Sequence, residues 1–428
     1  MTAENKDMIY PDFTELRIYP SFSEIREKFN APSNFKIYFP LEVYAQIVSG
    51  SLSIEGVPVL SQNSVTKANN LEGQTVFVRR SGVQPIECQV IRPNDLLLKD
   101  IKTNRYLKAE HHDLEYVTIP EEEGTEVSFA LKTGAEVTLS YLINGITWSP
   151  RYNLKVSGEQ HTFEAWADMT NSTKRDYKIK RTEIFGGDVR LNSGRGLGFG
   201  RARRHKKCLG YDGCSTNECA PQIQSKGELA GIYWYSIDQP FVLLSQSTFS
   251  LPFVEPNITL TKYVGLELSF SERAQRGKFQ RKYRIESDQF LPRGTVTVRE
   301  DGRVVGQAHA PDMPIGDKQD LDCGNDPDVS YLREVKVLSQ KRNSAIYDIK
   351  LILKNAKQKP VKYEFKEVIS AMKFTAIPKG DNASKIKLIA EGLKIDDDND
   401  LDGNEQERIY EYQIQLEYRS RSRSRSRS

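Results

Sequence analysis

Apolar residues fall at every second position through long parts of this chain. Tyr410, Tyr412, Ile414, Leu416 and Tyr418 alternate with Glu411, Gln413, Gln415 and Glu417, and Val361, Tyr363 and Phe365 alternate with Lys362, Glu364 and Lys366. Successive side chains of a strand point to opposite faces, so this period places one face in a core and the other in water. The pattern recurs at 127–131, 137–143 and 347–353 and predicts half-buried antiparallel sheet for most of the chain. Asp301-Gly302, between Arg299-Glu300 and Arg303-Val304-Val305, predicts a hairpin, because Asp-Gly suits the type I′ turn that matches strand twist. The expected fold is mainly β: an antiparallel, sandwich-like domain preceded by a smaller β-rich unit.

The smaller unit is expected at 1–120. Within it Glu72-Gly73 marks a turn before a short strand, and 95–100 reads as a buried strand with polar ends. Ser21-Phe-Ser-Glu24 has the spacing of a helix capping box, but it follows Pro20 and reads better as strand edge. The polar run Glu121-Glu-Glu-Gly-Thr125 is the expected boundary, and 121–418 the larger domain. Residues 194–231, rich in glycine, arginine and cysteine and without periodicity, predict a long exposed insert. Residues 396–407 form a second, acidic loop, and 419–428 an Arg-Ser tail. No internal repeat and no heptads are evident.

A length of 428 residues suits two or three domains, and an apolar share of 38% with this patterning excludes a disordered chain. No stretch approaches the roughly 20 apolar residues of a membrane helix, so no membrane partner is expected. The start lacks a basic segment followed by an apolar run. The five cysteines are odd in number and unevenly placed, unlike a secreted disulfide framework. A cytoplasmic protein with reduced thiols is expected, with the nucleus as the alternative. The formal charge of +3 becomes −2 without the five arginines of the tail, so whole-chain charge does not point to nucleic acid.

Residues 139–156, Leu-Ser-Tyr-Leu-Ile-Asn-Gly-Ile-Thr-Trp-Ser-Pro-Arg-Tyr-Asn-Leu-Lys-Val, place Trp148, Ser149, Pro150, Arg151 and Tyr152 between two apolar strands. This resembles the domain-of-unknown-function 4139 family, some bacterial members of which are labelled mucoidy inhibitor MuiA-like, whose pattern is strand, Trp-x-Pro-x-Tyr, strand. Asn171-Ser-Thr173 resembles the family's Asn-x-Thr turn, with Lys174-Arg-Asp-Tyr177 in place of the Gly-x-x-Trp that often follows. Leu291-Pro-Arg-Gly294 and the closing Gly306 resemble its Pro-x-Gly strand and hairpin. The match covers roughly 126–418, and 10–120 resembles the leading unit of animal members; the coiled coil of many bacterial members is missing. The resemblance implies a β-sandwich-like region and carries over no catalytic residues. Read from the residues alone, Pro150 ends a strand and Trp148 and Tyr152 are core aromatics.

Candidate chemistry is sparse. His205, Cys208, Cys214 and Cys219 share the insert and are the right donors for tetrahedral zinc, yet form neither a Cys-x-x-Cys nor a His-x-x-x-His pair. A local disulfide and exposed thiols are the alternatives. Gly194, Gly196, Gly198 and Gly200 lack the dinucleotide spacing and the Lys-Ser/Thr of a phosphate loop, and with Arg201, Arg203, Arg204, Lys206 and Lys207 they read as a basic arm or a solvated loop. Asp398, Asp400, Asp402 and Gly403 reproduce the first half of a calcium loop, but Ile409 stands where a bidentate glutamate is required, so an acidic turn is the other reading. The histidines His111, His112, His161, His205 and His309 match no catalytic motif. The tail lacks an accompanying RNA-binding signature. No cofactor is expected. The preferred function is a non-catalytic binding or scaffolding module acting through exposed loops, chiefly 194–231, with protein partners. The alternatives are a nuclear RNA-associated protein using the basic insert and tail, and an unrecognised hydrolase.

Overall fold

The computed structural model describes residues 11–67, 71–79, 84–117, 123–189, 191, 221–396, 400–403 and 406–418. The chain is mainly β, built of several sheets in which most neighbours run antiparallel. It divides into two units: residues 1–149 with 168–251, and 150–167 with 252–428. This differs from the boundary expected at 121. Gly124–Leu131, after the polar run, pairs with both Asn34–Pro40 and Val59–Lys67, strands that precede it in the chain.

The first unit is organised by an eight-stranded sheet in the order Ile223–Leu229, Ile232–Ile237, Tyr177–Gly186, Phe13–Ile18, Ser23–Ala31, Ala135–Ile143, Ser53–Glu55, with Phe241–Leu243 also paired to Tyr177–Gly186. Phe13–Ile18 and Tyr177–Gly186 run parallel. Ser23–Ala31 is a strand, as read for the segment after Pro20, and its inward positions are Ile25, Glu27, Phe29 and Ala31. Trp148 is 3% exposed, and its indole Nε1–H donates to the Phe185 carbonyl at 2.8 Å. A tryptophan at the end of an alternating run thus joins the core, as expected, with its one polar atom satisfied.

Between Val59–Lys67 and Gly124–Leu131 the chain makes a small five-stranded sheet: Leu114–Tyr116, Thr75–Val78, Ile86–Arg92, Leu97–Asp100, Tyr106–Lys108. It has its own core of Leu71, Val76, Val78, Cys88, Val90, Leu96, Leu98 and Leu114. The two strands that frame it form a ribbon, with Asn34–Pro40 as its third strand.

The second unit is dominated by a nine-stranded sheet, in the order Lys373–Lys379, Gln406–Glu417, Ser344–Asn355, Lys318–Gln340, Gln275–Ser287, Ile258–Ser269, Tyr363–Val368, Gly392–Asp396, Ile386–Ile389. Ala376 and Ile386, from the two opposite edges, belong to one core with Phe279, Leu351, Phe365 and Tyr412. The sheet therefore curls into a nearly closed barrel. Tyr410, Tyr412, Ile414 and Leu416 all face this core, as their period predicts. At the expected hairpin Asp301 and Gly302 both have positive φ, 45° and 79°, the signature of a type I′ turn. Downstream, a side chain at Gly306 would meet Cys323 Sγ at 2.5 Å, so close approach of the hairpin requires glycine there.

Candidate functional site

His205, Cys208, Cys214, Cys219, the basic arm at 194–207, Asp398 and the tail at 419–428 lie outside the described residues. The insert expected to run to 231 is shorter than that. Ile223–Leu229 is a strand paired with Ile232–Ile237 through a turn in which Ala230 and Gly231 have φ of 52° and 82°. Its alternation was hidden because nearly every position is exposed and the register shifts between Ser225 and Gly227. Among the described residues no group of three or more His, Cys, Asp or Glu is arranged to hold a metal ion. Asp400 and Asp402 stand beside a cation of the protein itself: Arg408 Nη2 donates to the Asp400 carbonyl at 3.2 Å and to Asp402 Oδ2 at 3.3 Å. A side chain at Gly403 would meet the Lys357 carbonyl at 2.5 Å, so this glycine serves close packing of two turns.

Sequence reading missed two buried ionic clusters, one in each unit. In the first, Glu27 accepts from Arg175 Nη2 at 2.7 Å and from the Tyr141 hydroxyl at 3.4 Å. Burial raises the Glu27 carboxyl above the ordinary glutamate range, against the opposing effect of the Arg175 cation. Tyr177, under the same guanidinium, is pushed up to about 12, mainly by burial. In the second, Arg333 Nη2 donates to Glu367 Oε1 at 2.5 Å, and its Nη1 donates to the Ser271 carbonyl at 2.9 Å. The Tyr412 hydroxyl donates to the other Glu367 oxygen, and burial followed by that carboxylate drives its pKa well upward. Both clusters had a readable signal. Ile25, Glu27, Phe29 and Tyr363, Phe365, Glu367 keep one alternating phase, which sets a carboxylate on the core face.

Each unit also carries an asparagine that serves its own turn. Asn171 Nδ2 donates to the Arg175 and Leu244 carbonyls at 2.9 Å each, and its Oδ1 accepts from the Thr173 N–H at 2.9 Å. Asn355 Nδ2 donates to the Lys359 and Leu401 carbonyls at 2.9 and 3.0 Å, and its Oδ1 accepts from the Lys357 N–H at 3.0 Å. Each asparagine ends a long strand and uses its amide to satisfy backbone that the sheet leaves behind. These are structural bonds, and they account for the side chains fully.

The candidate surface is a sheet edge and not a side-chain cluster. Val59–Lys67 is the outer strand of the ribbon, paired on one side to Gly124–Leu131. Every residue from 59 to 66 is exposed, with Leu60 at 70% and Val65 at 47%. No charged residue and no proline occurs from Val59 to Thr66. Four other sheet edges among the described residues are guarded in the ways that prevent strand addition. Lys373–Lys379 carries Lys373, Pro378 and Lys379; Ile223–Leu229 carries Lys226, Glu228 and a register shift; Asn34–Pro40 carries Lys36 and Pro40; Ile386–Ile389 is four residues long and carries Lys387. Val59–Lys67 has a single flanking lysine and one irregularity, opposite Ala130 and Leu131.

The chain matches no protein-family model and no curated protein. Among the described residues no helix is long and apolar enough to cross a membrane.

Proposed function

We propose that this chain is a non-catalytic binding module, an all-β scaffold that takes up an extended stretch of polypeptide along Val59–Lys67. The observation that carries the reading is the open, uncharged edge of that strand. Its N–H and C=O groups can pair with an extended segment, and the exposed Val59, Leu60 and Val65 then discriminate among sequences. The engagement of Glu27, Arg175, Arg333 and Glu367 by fixed internal partners supports the same reading, because these perturbed or deeply buried groups serve as ties between strands. We also read the chain as a member of the domain-of-unknown-function 4139 family. Support comes from the roles its signature residues play: Trp148 in the core of the first unit, the Tyr152 hydroxyl donating to the Pro292 carbonyl at 2.8 Å in the second, and Asn171 in its turn.

The test is affinity purification with mass spectrometry, comparing the full chain with the double variant Ser64→Lys, Val65→Lys. Partner proteins retained by the wild type and lost from the variant are expected. Identical partner sets, with recovery of a second copy of the chain also unchanged, would refute the edge as the working surface.

A further inference from the structure

Resting on the reading of Val59–Lys67 as a binding edge, we infer that its occupant is the same strand of a second copy of this chain. Two copies related by a two-fold axis pair antiparallel, with one residue on the axis opposite itself and its neighbours opposite residues an equal number of steps away. The register irregularity leaves 61–67 as the regular section, with Ser64 at its centre. An axis at Ser64 sets Asn63 opposite Val65, Gln62 opposite Thr66 and Ser61 opposite Lys67. No like charges meet, and Gln62 with Thr66 and Ser64 with Ser64 are hydrogen-bonding pairs of the kind that stabilise sheets.

The same operation fails on the guarded edge of the second unit. An axis at Ala376, the centre of Lys373–Lys379, sets Lys373 against Lys379 twice, and Pro378 offers no N–H. Exposure on both faces of 59–66 also means that a second copy extends the sheet without displacing a covering layer. A single strand pair buries less than the roughly 1,200 Å² of a stable interface, so the dimer is weak and reversible.

The experiment is sedimentation of the full chain from about 1 to about 100 μM, joined to amide exchange and cysteine cross-linking. A concentration-dependent dimer is expected, with amides of 61–66 protected in step with dimer formation. Ser64→Lys sets two lysines face to face on the axis and is expected to raise the dissociation constant at least about ten-fold. In a background with Cys208, Cys214 and Cys219 replaced by serine, Ser64→Cys is expected to form an intermolecular disulfide. Gln62→Cys is expected to form it at least about ten times more slowly, because its copies lie beyond the roughly 7 Å that a disulfide spans. A chain that stays monomeric with 61–66 exchanging freely would overturn self-pairing, while partner proteins lost on the edge substitutions would still uphold the binding edge itself. A dimer indifferent to Ser64→Lys would place the contact on another surface and equally overturn the inference.

Discussion

Each unit joins an arginine to a buried glutamate and a buried tyrosine, but they differ in how completely water is shut out. In the second unit the side chains of Arg333 and Glu367 are both fully buried. In the first, Glu27 is fully buried while the Arg175 side chain keeps 31% exposure. Each guanidinium also lies over an aromatic ring, Phe270 at 5.3 Å for Arg333 and Tyr177 at 5.2 Å for Arg175. The difference follows from position. Arg333 sits within the long strand Lys318–Gln340 of a curled sheet, whereas Arg175 follows the Asn171 turn at a strand end. A buried ion pair adds little over a well-packed apolar substitute, yet loss of one partner strands the other in a low dielectric. The dry cluster should therefore punish truncation more than the wet one.

The largest expected effect is Arg333→Ala, which leaves Glu367 buried without its cation and should cost about 3–5 kcal/mol in urea unfolding. The double variant Arg333→Met, Glu367→Leu removes both charges and should recover most of that loss. If the double variant is as unstable as the single, then packing around Phe270 and not the stranded charge sets the cost. Arg175→Ala should cost less, about 1–3 kcal/mol, because water can enter where the guanidinium was and solvate Glu27. Equal losses in the two variants would erase the distinction between the clusters.

That distinction was only partly legible in the chain. Alternation located Tyr410, Tyr412, Ile414 and Leu416 on a core face, and Asp301-Gly302 its hairpin, because both are local consequences of strand geometry and turn conformation. Glu27 and Arg175 are 148 residues apart, and their meeting depends on parallel pairing of Phe13–Ile18 with Tyr177–Gly186, which no local pattern specifies. Ile223–Leu229 escaped notice for the opposite reason: a strand exposed almost throughout has no buried face to impose a period. The pairing of Gly124–Leu131 with Asn34–Pro40 was not legible either, because composition at 121–125 marks a local change and not which distant strand the chain rejoins. Of the candidate site, the absence of charge from Val59 to Thr66 was present in the sequence, but that those residues form an edge is a property of the sheet.

A pH series sharpens the comparison further. The folded-state pKa of Glu27 is raised, first by burial, above its unfolded value. In the window between the two, the folded chain holds a proton that the unfolded chain has released, so stability falls as pH rises. The contribution is complete below the unfolded pKa and lost as pH passes the raised folded value. Glu27→Gln cannot titrate, and urea midpoints followed from acid to neutral pH should lose this component of their slope. An unchanged slope would mean that Arg175 holds Glu27 ionised throughout, which would make the first cluster a permanent ion pair.

The smallest effect is expected on the ribbon, where the first unit carries exposure to its limit. Val65→Lys, and Ser64→Lys beside it, replace side chains that have neither a packed neighbour layer nor a strand beyond them. An exposed substitution of this kind normally changes stability by no more than about 0.5 kcal/mol, and the same urea melts that register Arg333→Ala should scarcely move. The prediction has weight because valine is the better strand former, so a small loss is allowed and a large one is not. A loss of about 2 kcal/mol or more would mean that Val65 is covered in the folded chain. The ribbon would then be part of the first unit's core, and no longer its open edge.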